Sequence, residues 1–285
     1  MGSYVRPTTL PEALGLLAAA RQEGRPRVIV AGATDHFPAR VGRVTDEDVL
    51  DVTGLTDFGT IRAMKGGWWI PALATWTGVI EGKLPPLFDG LCLAAGAVGG
   101  RQIQNRGTVV GNVVNASPAA DGTPNLLALD AVVTLASIRG ERRVSVGEFV
   151  TGNRSTVREV DELVTGLFVP TPPSGTLARS TFLKLGSRAY LVISIAMVAV
   201  VLALDADRRI AEARVVVGAC SPVARRLPML EAALMGRIAE PGIGRTVLPE
   251  HLMELKPIDD VRGSASYRLD AAETLVRRAL EGLVG

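Results

Sequence analysis

The segment Gly107–Asp121 reads GTVVGNVVNASPAAD. It carries a glycine-bearing turn and then a crowd of small and neutral polar residues, among them Thr108, Gly111, Asn112, Val114, Asn115 and Ser117, and it closes on a single carboxylate, Asp121. A site whose side chains perform the chemistry displays a nucleophile, a base or metal ligands. This stretch displays none of them. Its small residues let a ligand approach the backbone, and its amides and hydroxyls supply donors and acceptors at short intervals. On these residues alone two readings stand: a loop that holds a ribityl chain, a ribose or a flavin edge, and an ornate loop held by its own hydrogen bonds.

A second small-residue turn lies upstream, in PRVIVAGATD. Val28, Ile29 and Val30 form a short β-branched strand that runs straight into Ala31, Gly32, Ala33, Thr34 and Asp35, with His36 following. Backbone curling through residues this small points several N–H groups at one place, a concavity suited to phosphate oxygens without any lysine. A tight strand-to-helix turn is the plainer alternative. Two such loops, each after an apolar segment, favour one shared ligand. Neither GxGxxG after a strand nor GxxxxGK[ST] occurs, so a Rossmann site and a Walker loop both lose their main support.

The bulk properties frame these loops. The chain has 285 residues, 47% hydrophobic and 21% charged, which describes a globular protein of one large domain or two ordinary ones. With 31 basic against 29 acidic residues, a net charge of +2 offers no broad field for nucleic acid or an anionic membrane. Cys92 and Cys220 lack CxxC spacing, arguing against zinc, an iron–sulfur cluster or a disulfide framework, and both are expected to be buried. With two histidines, His36 and His251, no metal site is expected. The segment after Met1 carries Arg6, Pro7 and Glu12 where a secretory signal needs an apolar run, so a cytoplasmic location is expected. The longest apolar run, Tyr190–Leu204, is too short for the roughly 20 residues of a membrane span and is expected to be a core element.

Local signals predict a helix over TTLPEALGLLAAARQEG, capped by Thr9 and stopped by Gly24. Short strands broken by glycine follow from Val49 to Trp76, then a helix across Leu84–Val98 leading into Gly99, then turn-like RQIQNRGTVVGN. Trp68, Trp69 and Trp76 fit a hairpin packed in the domain or against another subunit better than a stacking platform. A hairpin is expected across Arg139–Glu141, a polar loop at TGNRSTV and a strand at DELVTGLFVP. TPPSGT, Thr171–Thr176, is the expected linker; beyond it come a long hairpin (193–204 and 210–217, closing on Asp205 and Asp207) and two amphipathic helices near 229–235 and 271–283. Arg225 and Arg226 read as a solvated turn.

Four stretches, AGATDHFPAR, VGGRQIQNRGTVVGNVVNASPAADGTPNLLALDA, DELVTGLFVP and FLKLGSRAYLVIS, in this order and spacing, give the chain a resemblance to the FAD-binding medium subunits of the molybdenum hydroxylases, the xanthine dehydrogenase and carbon monoxide dehydrogenase family. The resemblance covers nearly the whole chain. It implies an α+β protein: an FAD-binding domain of the vanillyl-alcohol oxidase (PCMH) type over residues 1–175, with two α+β subdomains, and a smaller C-terminal α+β domain of antiparallel sheet and helices over 176–285. It implies that Ile29, Val30, Ala31, Gly32, Ala33, Thr34, Asp35 and His36 wrap the FAD diphosphate. Thr108, Gly111, Asn112, Val114, Asn115 and Asp121 map onto cofactor contacts, Val98 and Gly99 lie close to the flavin, Val164 packs near it, and Lys184 reaches it from the C-terminal side. Electrons then arrive from the [2Fe–2S] clusters of a small partner subunit, after a large molybdopterin subunit has oxidised the substrate, and leave for NAD or another acceptor. A dimer of heterotrimers is the assembly the family implies. A stand-alone flavin reductase of the same fold and a structural subunit that has lost FAD are the alternatives.

Two positions depart from the family pattern. Ala33 stands where a second glycine is usual, and Val110 replaces the first glycine of a TIGGN-like turn. The methyl of Ala33 is tolerable at negative φ, whereas a β-branched Val110 excludes positive φ and puts the shape of the second loop in question.

Overall fold

The computed structural model describes residues 2–189 and 191–284; Tyr190, at the head of the apolar run, lies outside them. Tyr4–Val5 (β1), helix Leu10–Gln22 (α1), Val28–Val30 (β2) and Val49–Asp51 (β3) form the first unit, with β1 and β2 both parallel to a central β3. The Thr9 hydroxyl accepts the Glu12 N–H, and Gly24 turns the chain at φ +67°, so α1 starts and stops where its sequence signals stand. Its Ala13 and Leu17 pack with Leu50, Val52 and Leu55.

Strands Arg62–Met64 (β4) and Gly67–Pro71 (β5) open the second unit. Helices Trp76–Glu81 (α2), Asp89–Ala97 (α3), Arg101–Arg106 (α4), Val109–Asn115 (α5) and Gly122–Ala128 (α6) follow. Then come Val132–Ser137 (β6), Gly140–Ser145 (β7), the one-turn helix Val146–Phe149 (α7), the small hairpin Val150–Gly152 (β8) and Ser155–Thr156 (β9), and Leu163–Pro170 (β10). The antiparallel sheet runs β4-β5-β10-β6-β7, with a bulge in β10 between Val164 and Gly166. Two expectations are corrected here. Trp76 does not end a strand: Thr75 accepts the Gly78 N–H, and α2 begins. The turn-like RQIQNRGTVVGN is two short helices, α4 and the start of α5, separated by Gly107. Val, Asn and Gly are weak helix formers, so capping and tertiary contact decide this segment.

Thr171–Thr176 connects β10 to Leu177–Leu185 (β11), which joins Ala196–Leu204 (β12), Ile210–Gly218 (β13) and Arg225–Arg226 (β14) in a four-stranded antiparallel sheet. Pro228–Leu234 (α8) and Ala265–Val284 (α9) complete the chain. Both faces of β12 are buried: Met197, Ala199 and Val201 face the core shared with α3 and α6, and Val198, Val200 and Leu202 face α9. The β12–β13 hairpin closes as expected, Asp205 accepting the N–H groups of Asp207 and Arg209. Helix α9 begins at Ala265, earlier than its apolar pattern announces, because Asp259 accepts the Ala265 N–H and Asp260 holds Arg268 at 2.7 Å. Arg226 is not a solvated turn residue; it pairs with Glu231 at 2.8 Å and Asp130 at 2.9 Å. Cys220 is buried, its thiol pushed up to about 11 by desolvation, while Cys92 is only half-buried. The architecture is the α+β class expected, and among the described residues no helix is long and apolar enough to cross a membrane.

Candidate cofactor-binding site

A cleft of about 740 Å³ opens between the loop after β2 and helix α5, within the size range of sites for small molecules and cofactors. The first wall begins where β2 runs out of partners. Ile29 and Val30 leave the parallel sheet, and Ala31, Gly32, Ala33, Thr34, Asp35 and His36 line the cleft in succession. The N–H groups of Gly32, Ala33, Thr34 and Asp35 meet no acceptor among the described residues. Backbone donors left bare at a cleft call for an anion or water. Ala33 takes φ +53°, so the condition of negative φ under which its methyl is free of strain is not met; the left-handed position is the one a glycine fills without strain. Gly32 cannot be anything larger here, since a Cβ would fall on the carbonyl oxygen of Arg106. That contact presses the first loop against the turn that starts the second.

The second wall is held from behind. Trp76 donates its N–H to the Gly107 carbonyl at 3.1 Å, and Val109 donates to the Ala74 carbonyl at 2.9 Å. The Thr108 hydroxyl caps α5 by accepting the Gly111 N–H at 3.0 Å. Val110 lies inside α5 and is absent from the positive-φ positions, so its branched side chain meets no backbone conflict. The doubt attached to this residue is thereby removed: the segment is a helix, where a turn of successive glycines is not needed. Asn112 accepts the Gly122 N–H at 3.1 Å, tying α5 to α6, and Ala116 ends α5 at φ +48°.

The cleft brings together the predicted residues of the first loop with Val98, Thr108, Gly111, Asn112, Val114, Asn115 and Val164. Gly99, Asp121 and Lys184 stand outside its lining. Gly99 turns the chain at φ +52° against Ile103. Asp121 and Lys184 find each other: Lys184 Nζ donates to one carboxylate oxygen at 2.7 Å and the Ser194 hydroxyl to the other at 2.9 Å. Burial pushes the Asp121 carboxyl upward, against the pull of Lys184 and Ser194. His36 packs edge-on to Phe37, and burial together with Arg40 lowers its pKa, so it is neutral at neutral pH. Trp76, fully buried, forms the floor beside Gly107 and Gly122.

Sequence reasoning missed the basic residues. Arg27, Arg40, Arg154 and Arg158 all line the cleft. Arg40 is neutralised by Glu47 at 2.7 Å. Arg158 donates to the carbonyls of Glu159 and Glu162, and burial lowers its pKa. Arg154, from the supposed polar loop, reaches Asp35 at 2.6 Å and also donates to Asn115. That guanidinium holds the Asp35 carboxyl below its ordinary range. No local pattern announces these partners, which lie 119 and 39 residues away in sequence.

Bare amides, arginines and the apolar side chains of Val98, Ile103 and Val164 in one cleft suit a ligand with a diphosphate and an aromatic ring, which is the chemistry of FAD. Among the described residues no group of three or more His, Cys, Asp or Glu side chains is placed to hold a metal ion.

Comparison with known proteins gives the family. Residues 1–172 match the family described as the FAD binding domain in molybdopterin dehydrogenase, and residues 181–283 match the CO dehydrogenase flavoprotein C-terminal domain. The nicotinate dehydrogenase FAD-subunit of Eubacterium barkeri is 34% identical over 201 residues, 67% of this chain and 65% of that protein. The carbon monoxide dehydrogenase medium chain of Afipia carboxidovorans is 28% identical over 98% of this chain and 95% of its own. Among solved structures, a chain of carbon monoxide dehydrogenase from Hydrogenophaga pseudoflava superposes with a TM-score of 0.85 at 25% identity, covering 98% of this chain and 96% of that one. Since the first family model spans more than half the sequence, the chain belongs to the FAD-binding medium subunits of the molybdenum hydroxylases, an oxidoreductase subunit whose cofactor is FAD.

Proposed function

We propose that the cleft holds FAD with its diphosphate on the bare N–H groups of Gly32, Ala33, Thr34 and Asp35, and its ring system toward Val98 and Val164. The observation that carries this reading is the run of successive amides from Gly32 through Asp35 that meet no acceptor among the described residues, set opposite the capped helix α5. Bound FAD supplies the storage and onward transfer of an electron pair. The residues of this chain bind it, orient it and exclude water: Thr108 fixes the start of α5, Asn112 locks α5 to α6, and Trp76 closes the floor. Asp121 and Lys184 form the polar contact behind the ring end, from which the lysine serves the cofactor. The unit boundary is placed at Thr171–Thr176, giving an FAD-binding domain over 1–175 and a C-terminal domain over 176–285.

In the assembled enzyme a small subunit with [2Fe–2S] clusters delivers electrons that a large molybdopterin subunit has taken from substrate, and the flavin passes them to NAD or another acceptor. A dimer of heterotrimers in the cytoplasm is the proposed form. Apolar Phe37, Val41 and Val44 stand exposed on the segment beside the first loop, which suits a partner-covered surface.

Replacing Gly32 with alanine tests the site. The added methyl drives the first loop off the Arg106 carbonyl and misplaces the amides. FAD affinity, followed by flavin absorbance on titration, is expected to fall roughly tenfold or more, with far-UV circular dichroism unchanged. Undiminished flavin uptake by this variant would count against the loop as the diphosphate site.

A further inference from the structure

We propose that Arg154 is the clasp of the cofactor cleft: it ties the end of the first loop to the end of α5 and so sets how long FAD stays bound. This rests on the reading that FAD occupies the cleft. Asp35 belongs to the run of bare amides, and Asn115 is the last residue of α5. Arg154 Nη1 donates to a carboxylate oxygen of Asp35 at 2.6 Å and to the side-chain oxygen of Asn115, and all three residues line the cleft. The cluster therefore bridges the two walls between which the ligand is taken to sit.

The backbone around Arg154 is built for the task. Arg154 sits in the tight turn between β8 and β9 at φ +57°, a conformation a non-glycine residue adopts only when its surroundings impose it. What imposes it is a hydrogen bond from the Arg154 N–H to the Ala116 carbonyl at 2.9 Å, and Ala116 is itself at φ +48°. Two left-handed residues thus dock the hairpin onto the end of α5 and aim the guanidinium across the cleft mouth. A glycine at position 154 would satisfy this backbone with less strain. Arginine is the costlier choice for the turn, so its side chain has a reason to be there.

Charge gives the clasp its second effect. Asp35 puts a carboxylate next to the amides that receive a diphosphate, and like charges at such a distance repel. Arg154 cancels that charge where it stands, and the two N–H donors of its Nη1 meet both oxygen acceptors from a planar, rigid group. An exposed ion pair on its own contributes little. Here one member is fixed by its backbone and the pair is joined by a third residue, so less freedom is lost on closing it.

Arg154→Gly is the test, because it removes the guanidinium and leaves a backbone that glycine favours. The full-length chain is loaded with FAD, diluted, and release is followed by the recovery of free-flavin fluorescence. At low salt the off-rate of R154G is expected to exceed the wild-type value by about five- to tenfold, with the association rate within about twofold. High salt is expected to narrow the ratio between the two proteins, since the ion pair is exposed and screened. Arg154→Lys should fall between them. Equal off-rates for R154G and wild type at low salt overturn the clasp, as does a ratio that salt leaves unchanged. A wild-type chain that takes up no FAD overturns instead the reading on which the clasp rests.

Discussion

The cleft and the C-terminal sheet are built on opposite plans. In the sheet, β11, β12 and β13 run nine residues each in continuous antiparallel register, broken by one irregularity near Leu204. At the first loop of the cleft the strands are short, β2 and β3 having three residues each, and the regular pairing stops before Gly32. Regular pairing consumes donors, so a chain that must offer N–H groups to a ligand has to leave the sheet to do so. On the proposed reading, stability and cofactor binding rest mainly on different residues, and substitutions test that separation.

The largest effect is expected where the two regions are stitched together. Lys184 on β11 and Asp121 before α6 form a buried pair, 14% and 7% exposed. Lys184→Met leaves an uncompensated carboxyl in the interior and is expected to cost about 3–5 kcal/mol in chemical denaturation, with Asp121→Asn in the same chain restoring much of it. Additive losses in the double variant would show that the two side chains do not act as a pair. Within the sheet, Leu202→Ala is expected to cost about 3 kcal/mol, since Leu202 is 1% exposed in the core under α9. FAD affinity measured on the folded variant should stay the same, and a fall in affinity would mean the two regions are not separable. The smallest effect belongs to the cleft: Thr108→Ala removes the α5 cap and about 1 kcal/mol of stability, yet it should weaken FAD binding measurably, the reverse of the Leu202 result.

What the sequence discloses follows the same division. Helix α1, the two hairpins and the irregular connection at Thr171–Thr176 are legible because caps, turn residues and apolar alternation are local signals. Helices α4 and α5 are hidden behind turn-like composition; their formation depends on Gly107, Thr108 and Val109 meeting Trp76, Thr75 and Ala74, residues distant in sequence. The first loop and α5 are found by their small residues and by resemblance, but their backbone is not: Ala33 takes the left-handed position and Val110 the helical one, the opposite of where concern fell. A resemblance transmits which positions matter, while the conformation at each depends on neighbours that arrive from elsewhere. The Arg154 cluster had no signal at all, because a residue in a polar loop is indistinguishable from its solvated neighbours until the fold sets Asp35 and Asn115 beside it.

The strand order of the larger sheet has a consequence for how the protein is made. β10 lies between β5 and β6, so the hairpins that flank it, β4–β5 and β6–β7, have no common partner until the chain has been synthesised past Pro170. Until then each nascent hairpin presents an open edge, the kind of surface that recruits stray strands. Pairing of this one late strand covers both edges and brings Leu163 and Val164 to the cleft as it does so, which ties completion of the cleft to completion of its supporting sheet.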